Sequence, residues 1–324
     1  MKVLVIGGTL FIGRLLVGRL LEDGFEVAVL HRRKGHDLSP EVEDLVADRN
    51  DSAAVKGALA GRRFDAVFDN VYDWERGTTA EQVVATARAC GEGLHRYVFM
   101  SSVAAYGEGL DHGEEDPLAP DDHPNAYIRN KAASERALFR LHRDEGLPAV
   151  TLRPPFVYGP ENPFYREAFF WDRLEAGRPI IVPGDGRRLM QFVYVKDLVW
   201  VCRRVLDEPV AGEAFNVAHE RAVTQAEMVT AVAHAAGKAP KLAHIPRERI
   251  EAAGGSAMGP DKLYFGVYYD VPPITERIDK ARRLLGFEPS DFLEGLRETY
   301  AWRRAHPKRQ SLDYSFEDSL LAAG

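Results

Sequence analysis

The most constraining feature of this 324-residue chain is its opening. Val3-Leu4-Val5-Ile6 is followed by Gly7-Gly8-Thr9-Leu10-Phe11-Ile12-Gly13, then by an apolar-periodic stretch to about residue 23 that stops at Gly24. Four consecutive apolar residues suit a parallel strand covered on both faces. The 3.6-residue period that follows suits a helix. A glycine-rich turn between the two leaves backbone N–H groups and the positive end of a helix dipole facing whatever lies beyond the strand. A dinucleotide pyrophosphate matches that arrangement. Gly7, Thr9, Leu10, Phe11, Ile12 and Gly13 are therefore the candidate phosphate-binding residues. Leu10 stands where a Gly-x-x-Gly-x-x-Gly turn carries its middle glycine, so its side chain is expected to crowd the pyrophosphate or shift the loop.

The alternation continues. Residues 26–30, 66–68, 97–100 and 149–152 read as strands, with helices at about 79–90 and 127–145. Such alternation predicts an α/β fold, a doubly wound parallel sheet of the Rossmann type with a smaller C-terminal substrate domain. Residues 1–153 are expected to form the dinucleotide-binding domain, with about 190–215 returning to it and 154–324 mainly building the substrate domain. Pro154, Pro155, Pro160 and Pro163 break the chain there. Residues 164–176 read as an aromatic-rich helix, and 192–195 as a short strand followed by a helix. Thr224 with Glu227 is a capping box opening a helix that stops at Gly237. Asp291 with Glu294 repeats that signature for a last helix ended by Pro307, and the polar tail from Lys308 is expected to be loosely held.

An acidic residue ending the second strand would accept from both ribose hydroxyls of NAD. His31-Arg32-Arg33-Lys34 occupies that place. Guanidinium suits phosphate bidentately, so His31, Arg32 and Arg33 favour NADP, with NAD possible. Asp48, after the third strand, is a candidate for the adenine edge. No grouping of histidines or cysteines has metal-ligand spacing, and no metal is expected.

Tyr127-Ile128-Arg129-Asn130-Lys131 sets a phenol and an ammonium four residues apart on one helix face. Free tyrosine, with a pKa of about 10, is a poor base at neutral pH. An adjacent ammonium favours the phenolate. Ser102 follows a strand at its C-terminal end, where open sheets place ligands. Ser102, Tyr127 and Lys131 are thus the candidate catalytic set: Tyr127 exchanges a proton, Ser102 orients the substrate oxygen, and Lys131 holds the nicotinamide ribose and tunes Tyr127.

Further motifs stand in order along the chain: Ser101-Ser102-Val103-Ala104-Ala105-Tyr106-Gly107, Arg153-Pro154-Pro155-Phe156-Val157-Tyr158-Gly159-Pro160, Gly184-Asp185-Gly186 with Phe192-Val193-Tyr194-Val195-Lys196-Asp197, Phe215-Asn216-Val217, and Lys280-Ala281 with Leu285-Gly286-Phe287. With them the chain, from Met1 to about Trp302, resembles an extended short-chain dehydrogenase/reductase of the NAD-dependent epimerase/dehydratase family. The resemblance implies NAD(P)-dependent hydride transfer at a carbinol carbon of a sugar or sugar-like substrate. It also implies a homodimer through the helices at 79–90 and 127–145, where Val83, Val84 and Ala87 offer an apolar stripe.

Departures from that family concern the substrate. Phe156 replaces an asparagine common in sugar-nucleotide members, Met190 replaces an arginine that pairs with the diphosphate, and aromatic residues 264–269 replace an Arg-Pro-Gly-Asp segment. A buried diphosphate without charged partners bears a large desolvation cost. A smaller polyol, sugar or glycoside is therefore expected in place of a UDP-sugar, unless Arg187 or Arg188 substitutes. Phe156, Trp171, Arg187, Arg188 and Met190 are the candidate substrate residues. Tyr72, Asp73 and Trp74 are open to either a substrate or a structural role.

The Gly-Gly-Thr-x-Phe-Ile-Gly turn and the missing acidic residue also resemble the chloroplast stem-loop-binding branch of the family, associated with RNA and ribosomes. An RNA-binding or ribosome-associated role is thus the alternative, with Arg32–Lys34 and the aromatics of 164–171 as its candidate surface. A net charge of −7 opposes it. No apolar run approaches the roughly 20 residues of a membrane span. Met1-Lys2-Val3 opens directly into a strand, and Cys90 and Cys202 form no disulfide framework, so a cytoplasmic location is expected.

Overall fold

The computed structural model describes residues 1–259, 261–307 and 312–322. Its centre is a seven-stranded sheet. Across the sheet the strands are Glu213–Asn216, Ala149–Arg153, Arg96–Met100, Ala66–Asp69, Lys2–Ile6, Glu26–His31 and Glu43–Val46. Every neighbouring pair is parallel. Successive side chains of a strand point to opposite faces, and the first strand shows why its run is wholly apolar. Leu4 and Ile6 enter one core with Val55, Leu59, Val83 and Leu138. Val3 and Val5 enter the other with Leu16, Val17, Leu20 and Leu198. Helices Ser52–Leu59, Ala80–Ala89 and Ala126–Glu145 cover the first face, and Phe11–Glu22 with Val195–Arg204 the second.

The chain leaves Lys2–Ile6 toward one edge and returns on its other side at Ala66–Asp69. Ligands of open sheets sit at such a reversal, beyond the carboxyl ends of the strands. Gly7, Asn70 and Ser101 follow three of those ends.

The second half is built from two-stranded pairs and short helices. Phe156–Tyr158 runs beside Phe192–Tyr194, Ile180–Pro183 beside Leu242–Ile245, and Gly109–His112 beside Ile274–Glu276. The 164–176 stretch is helical only over Glu167–Glu175, because its approach from Pro163 is irregular. Thr224 and Glu227 form both bonds of a capping box, whereas Asp291 caps its helix only through the Glu294 N–H. That helix, Phe292–Ala305, is not the last. Ser315–Ala322 follows, so the expectation of a loosely held tail is corrected over these residues: Glu317 is buried and pairs with Arg173 at 2.7 Å. Residues 308–311 of that tail lie outside the described residues. No helix among the described residues is long and apolar enough to cross a membrane.

Candidate active site

The turn after the first strand is shaped by its glycines. Gly7 has φ +82°, and a Cβ on Gly13 would lie 2.0 Å from the Gly7 carbonyl oxygen, so only glycine lets the helix start against the turn. Leu10 takes extended backbone angles (φ −136°, ψ 146°) as the residue preceding the helix. The middle glycine is therefore not needed for backbone shape, and the Leu10 side chain stands 67% exposed beside the turn. Phe11 has φ 43°. The first intrahelical bond runs from Arg14 N–H to the Leu10 carbonyl, which leaves the amides of Phe11, Ile12 and Gly13 ahead of the ladder. Thr9 and Ile12 are half-buried at the same turn.

At the end of the second strand the His31 ring is drawn back to Asp44, at 2.6 Å, rather than outward. Arg32, 66% exposed, lies 3.7 Å from Asp73, and Arg33 is exposed. Asp48 accepts from Arg76 at 2.7 Å and from the Asn50 N–H at 2.9 Å. Arg76, which sequence reading missed, also binds Asp73. Asn70, after the fourth strand, has both side-chain polar atoms buried without a partner among the described residues. Open amides, an orphaned carboxamide and facing cations fit a dinucleotide.

Beyond the neighbouring strand, Ser102 accepts from the Ala104 N–H at 3.2 Å and lies 3.4 Å from the Pro154 carbonyl. The Lys131 ammonium donates to the Met100 carbonyl at 2.6 Å and sits 4.8 Å from the Phe99 ring centre. Burial lowers its pKa to about 8. The helix thus brings Tyr127 and Lys131 to the strand end that carries Ser102. One expectation changes. Burial raises the Tyr127 phenol above its ordinary value, and the groups that oppose this are Ser102 and Arg166. Lys131 is 5.8 Å from the Tyr127 ring and is itself desolvated, which weakens its pull.

Aromatic side chains close over this set. Trp74 stacks on Tyr127 (4.9 Å between ring centres) and on Tyr268 (5.7 Å), while Tyr72 meets Tyr127 edge-on at 4.8 Å. Phe164 touches both Trp74 and Tyr268. Tyr268 holds φ 66°, uncommon for a bulky side chain, and its N–H donates to the Ala257 carbonyl at 2.6 Å. Behind them lies Arg166, 8 % exposed, within 6 Å of the Phe156, Phe164, Tyr268 and Tyr269 rings. Sequence reading missed Arg166. Its signal was a single cation embedded among Phe164, Tyr165, Phe169 and Phe170.

Other expectations are corrected. Trp171 is 1% exposed and donates to the Val232 carbonyl, so it packs the core rather than a substrate. Met190 is buried in the same core. Arg187 is exposed and reaches only Asp185, at 4.0 Å, and Arg188 is held by Asp270 at 2.6 Å. Neither replaces the missing cation. Phe156 does face Arg166. Phe169, Phe170 and Trp171 are buried, so they offer no stacking surface to a nucleic acid strand. Val83 and Ala87 are likewise spent inside the protomer, which removes the apolar stripe expected for a dimer.

The chain is 29% identical to the chloroplast stem-loop binding protein of 41 kDa b from Arabidopsis thaliana, over 99% of this chain and 84% of that one. UDP-glucose 4-epimerase from Thermotoga maritima, solved with UDP-glucose, shares the fold with a TM-score of 0.75 at 22% identity, over 95% of this chain and all of that one. dTDP-glucose 4,6-dehydratase from Bacillus anthracis, solved in complex with NAD, does so at 0.76 and 19%, over 94% and 97%. A profile built from known members matches residues 3–218, from the first strand through the edge strand that completes the sheet. The chain therefore belongs to the NAD dependent epimerase/dehydratase family.

Proposed function

We propose that this protein is an NAD(P)-dependent oxidoreductase or epimerase that moves a hydride to and from a carbinol carbon of a sugar or sugar-like substrate. The observation that carries this reading is the meeting of Ser102, Tyr127 and Lys131 at one strand end, beside the glycine turn. Tyr127 exchanges the hydroxyl proton, and Ser102 orients the substrate oxygen. Lys131 anchors the ribose while its contact with Met100 fixes its position. The amides of Phe11, Ile12 and Gly13 would hold the pyrophosphate, and the unpartnered Asn70 carboxamide would bond the cofactor. A bound nicotinamide supplies the hydride acceptor and donor. The aromatic cover excludes water from the reacting atoms.

Arg32 and Arg33, exposed where a ribose-binding carboxylate would stand, favour NADP over NAD. The family relationship and two buried free cysteines support a cytoplasmic enzyme. A homodimer through Ala80–Ala89 and Ala126–Glu145 completes the proposal. With the apolar stripe buried, its contacts are polar, such as the surface that bears the Arg88–Glu145 pair.

The deciding experiment titrates both cofactors into wild type and Tyr127→Phe and then follows cofactor absorbance and product composition with a sugar and polyol panel. NADP should bind more tightly than NAD to both proteins. Turnover should fall ~10³-fold in Tyr127→Phe with cofactor affinity unchanged. Retained turnover would remove Tyr127 from the chemistry. The likeness to the stem-loop binding protein favours a second reading, RNA binding. Submicromolar, salt-sensitive RNA affinity with no turnover on the panel would select it.

A further inference from the structure

A buried arginine ordinarily has a carboxylate. Arg49 pairs with Asp69 at 2.6 Å, Arg153 with Glu135 at 2.7 Å and Arg173 with Glu317 at 2.7 Å. Arg96 instead donates to the Val205 and Glu208 carbonyls at 2.9 and 2.7 Å, beside the C-terminal end of a helix whose dipole favours a cation. Arg166 has neither arrangement. Its Nε reaches the Val267 carbonyl at 3.2 Å and its Nη1 the Val157 carbonyl at 3.5 Å, and no carboxylate among the described residues lies within 4 Å of its guanidinium. Glu167, next in the chain, feels the Arg166 charge without pairing to it. Burial raises its carboxyl above the ordinary range, the Tyr269 hydroxyl and the Arg166 charge oppose this, and its oxygens are engaged by Tyr269 and Asn162.

The rings offset part of this cost. The Arg166 Cζ lies 4.5 Å from the Phe164 ring centre and 5.3 to 5.9 Å from those of Phe156, Tyr269 and Tyr268. Two of those rings touch Trp74, which stacks on Tyr127, and the positive charge is close enough to favour the Tyr127 phenolate. The unpaired cation therefore stands at the reacting end of the site. Arg188 and Arg247 are both spent on Asp270, and Arg129, on the helix that carries Tyr127, donates to the His123 carbonyl, so Arg166 is the guanidinium held against these rings, suited to one anionic group.

We propose that Arg166 reads a single anionic group, a carboxylate or a phosphate ester, carried on the substrate's own sugar or polyol skeleton. This rests on the hydride-transfer reading of the site and names its substrate class. A planar guanidinium presents two parallel N–H donors to either group, and with water excluded the charged bonds are strong. The substrate is then a sugar acid or a sugar phosphate, and the aromatic rings around Arg166 hold its apolar faces.

The test is isothermal titration of NADP-loaded wild type, Arg166→Met, Arg166→Lys and Tyr127→Phe with four probe sets. These are aldonic and uronic acids, hexose and pentose phosphates, the neutral parent sugars and polyols, and UDP-glucose. At least one anionic set should bind wild type at least ~10-fold more tightly than its neutral parents. That preference should fall ~10–100-fold in Arg166→Met, return in part in Arg166→Lys, and persist in Tyr127→Phe. Which set binds separates carboxylate from phosphate. Neutral parents binding as tightly as the anions, no anionic probe binding, UDP-glucose binding best, or an unchanged preference in Arg166→Met would each overturn the assignment. Thermal melting of each variant separates lost binding from lost folding. Cofactor absorbance is read on the same samples. Anion binding with no absorbance change in NADP- or NADPH-loaded samples and no epimerised product would sink the hydride-transfer reading and leave the anion-binding role of Arg166 standing.

Discussion

Two sides of the site are built by opposite rules. Below Ser102 and Tyr127 lies a base made of strand ends. There the Arg153 guanidinium donates to Glu135 at 2.7 and 3.0 Å and to the Tyr106 hydroxyl at 2.8 Å, while Glu135 also accepts from Ser101 and Thr151. Tyr106 in turn donates to Asn216 on the edge strand of the sheet. These groups are buried and mutually satisfied. Above lies a cover of loop residues. Trp74 is 52% exposed, Tyr268 sits in the left-handed region, and Arg166 lacks a carboxylate. The base is closed by its own hydrogen bonds, whereas the cover has polar capacity left open. Under the proposed function, catalytic position falls to the sheet and selectivity to the loops.

The largest expected effect breaks the base. Glu135→Ala leaves Arg153 buried without its carboxylate, which should cost ~3–5 kcal/mol of stability in urea unfolding. A loss below about 1 kcal/mol would mean that water or Tyr106 satisfies Arg153 unaided.

Next is the cover. Trp74→Ala removes ring contacts with Tyr72, Tyr127, Phe164 and Tyr268 at a half-exposed position and should change stability by no more than ~1.5 kcal/mol. KM for the substrate should rise ~10-fold with kcat changed far less, because the ring lies against Tyr127 without holding its backbone. A destabilisation as large as that of Glu135→Ala would erase the distinction between the two sides.

The smallest effect probes an exception beside the base. Glu276 is buried with both carboxyl oxygens unpartnered among the described residues, and burial holds its pKa well above the ordinary 4.5. The folded state then keeps a proton that the unfolded chain releases. This contribution to stability must decline as pH rises above about 4.5, by at most ~1.4 kcal/mol per pH unit until the buried group ionises. Chemical denaturation at pH 5 and pH 6, a window that limits the effect to ~1.4 kcal/mol, should show a smaller decline in Glu276→Gln than in wild type. Equal declines would show that Glu276 is ionised in the fold.

The same division explains what could be read from the sequence. Val3–Ile6, the glycine turn and the Tyr127–Lys131 spacing are local patterns. Each is fixed by neighbours a few residues away, and the sheet order and strand-end position of Ser102 agree with them. The cover is assembled from residues about 72, 164 and 268, which no local period connects. Trp171 and Arg166 show the difficulty. Both lie in one aromatic stretch, yet Trp171 turns into the core and Arg166 toward Tyr127, because the helix begins only at Glu167 and leaves Arg166 on the turn before it. Whether Leu10 crowds or merely flanks the turn was equally unreadable, since that depends on backbone angles.

The Arg173–Glu317 pair ties the helix that follows Arg166 to a segment near the end of the described chain. Chain order thereby becomes an order of assembly on the ribosome. The parallel sheet has all its strands once Asn216 has emerged, so the nucleotide side can close while translation continues. The aromatic segment at 264–269 and Glu317 arrive about 50 and 100 residues later. For the seconds that elongation takes, at roughly 5–20 residues per second, a nascent chain carries the cofactor half without its selective cover.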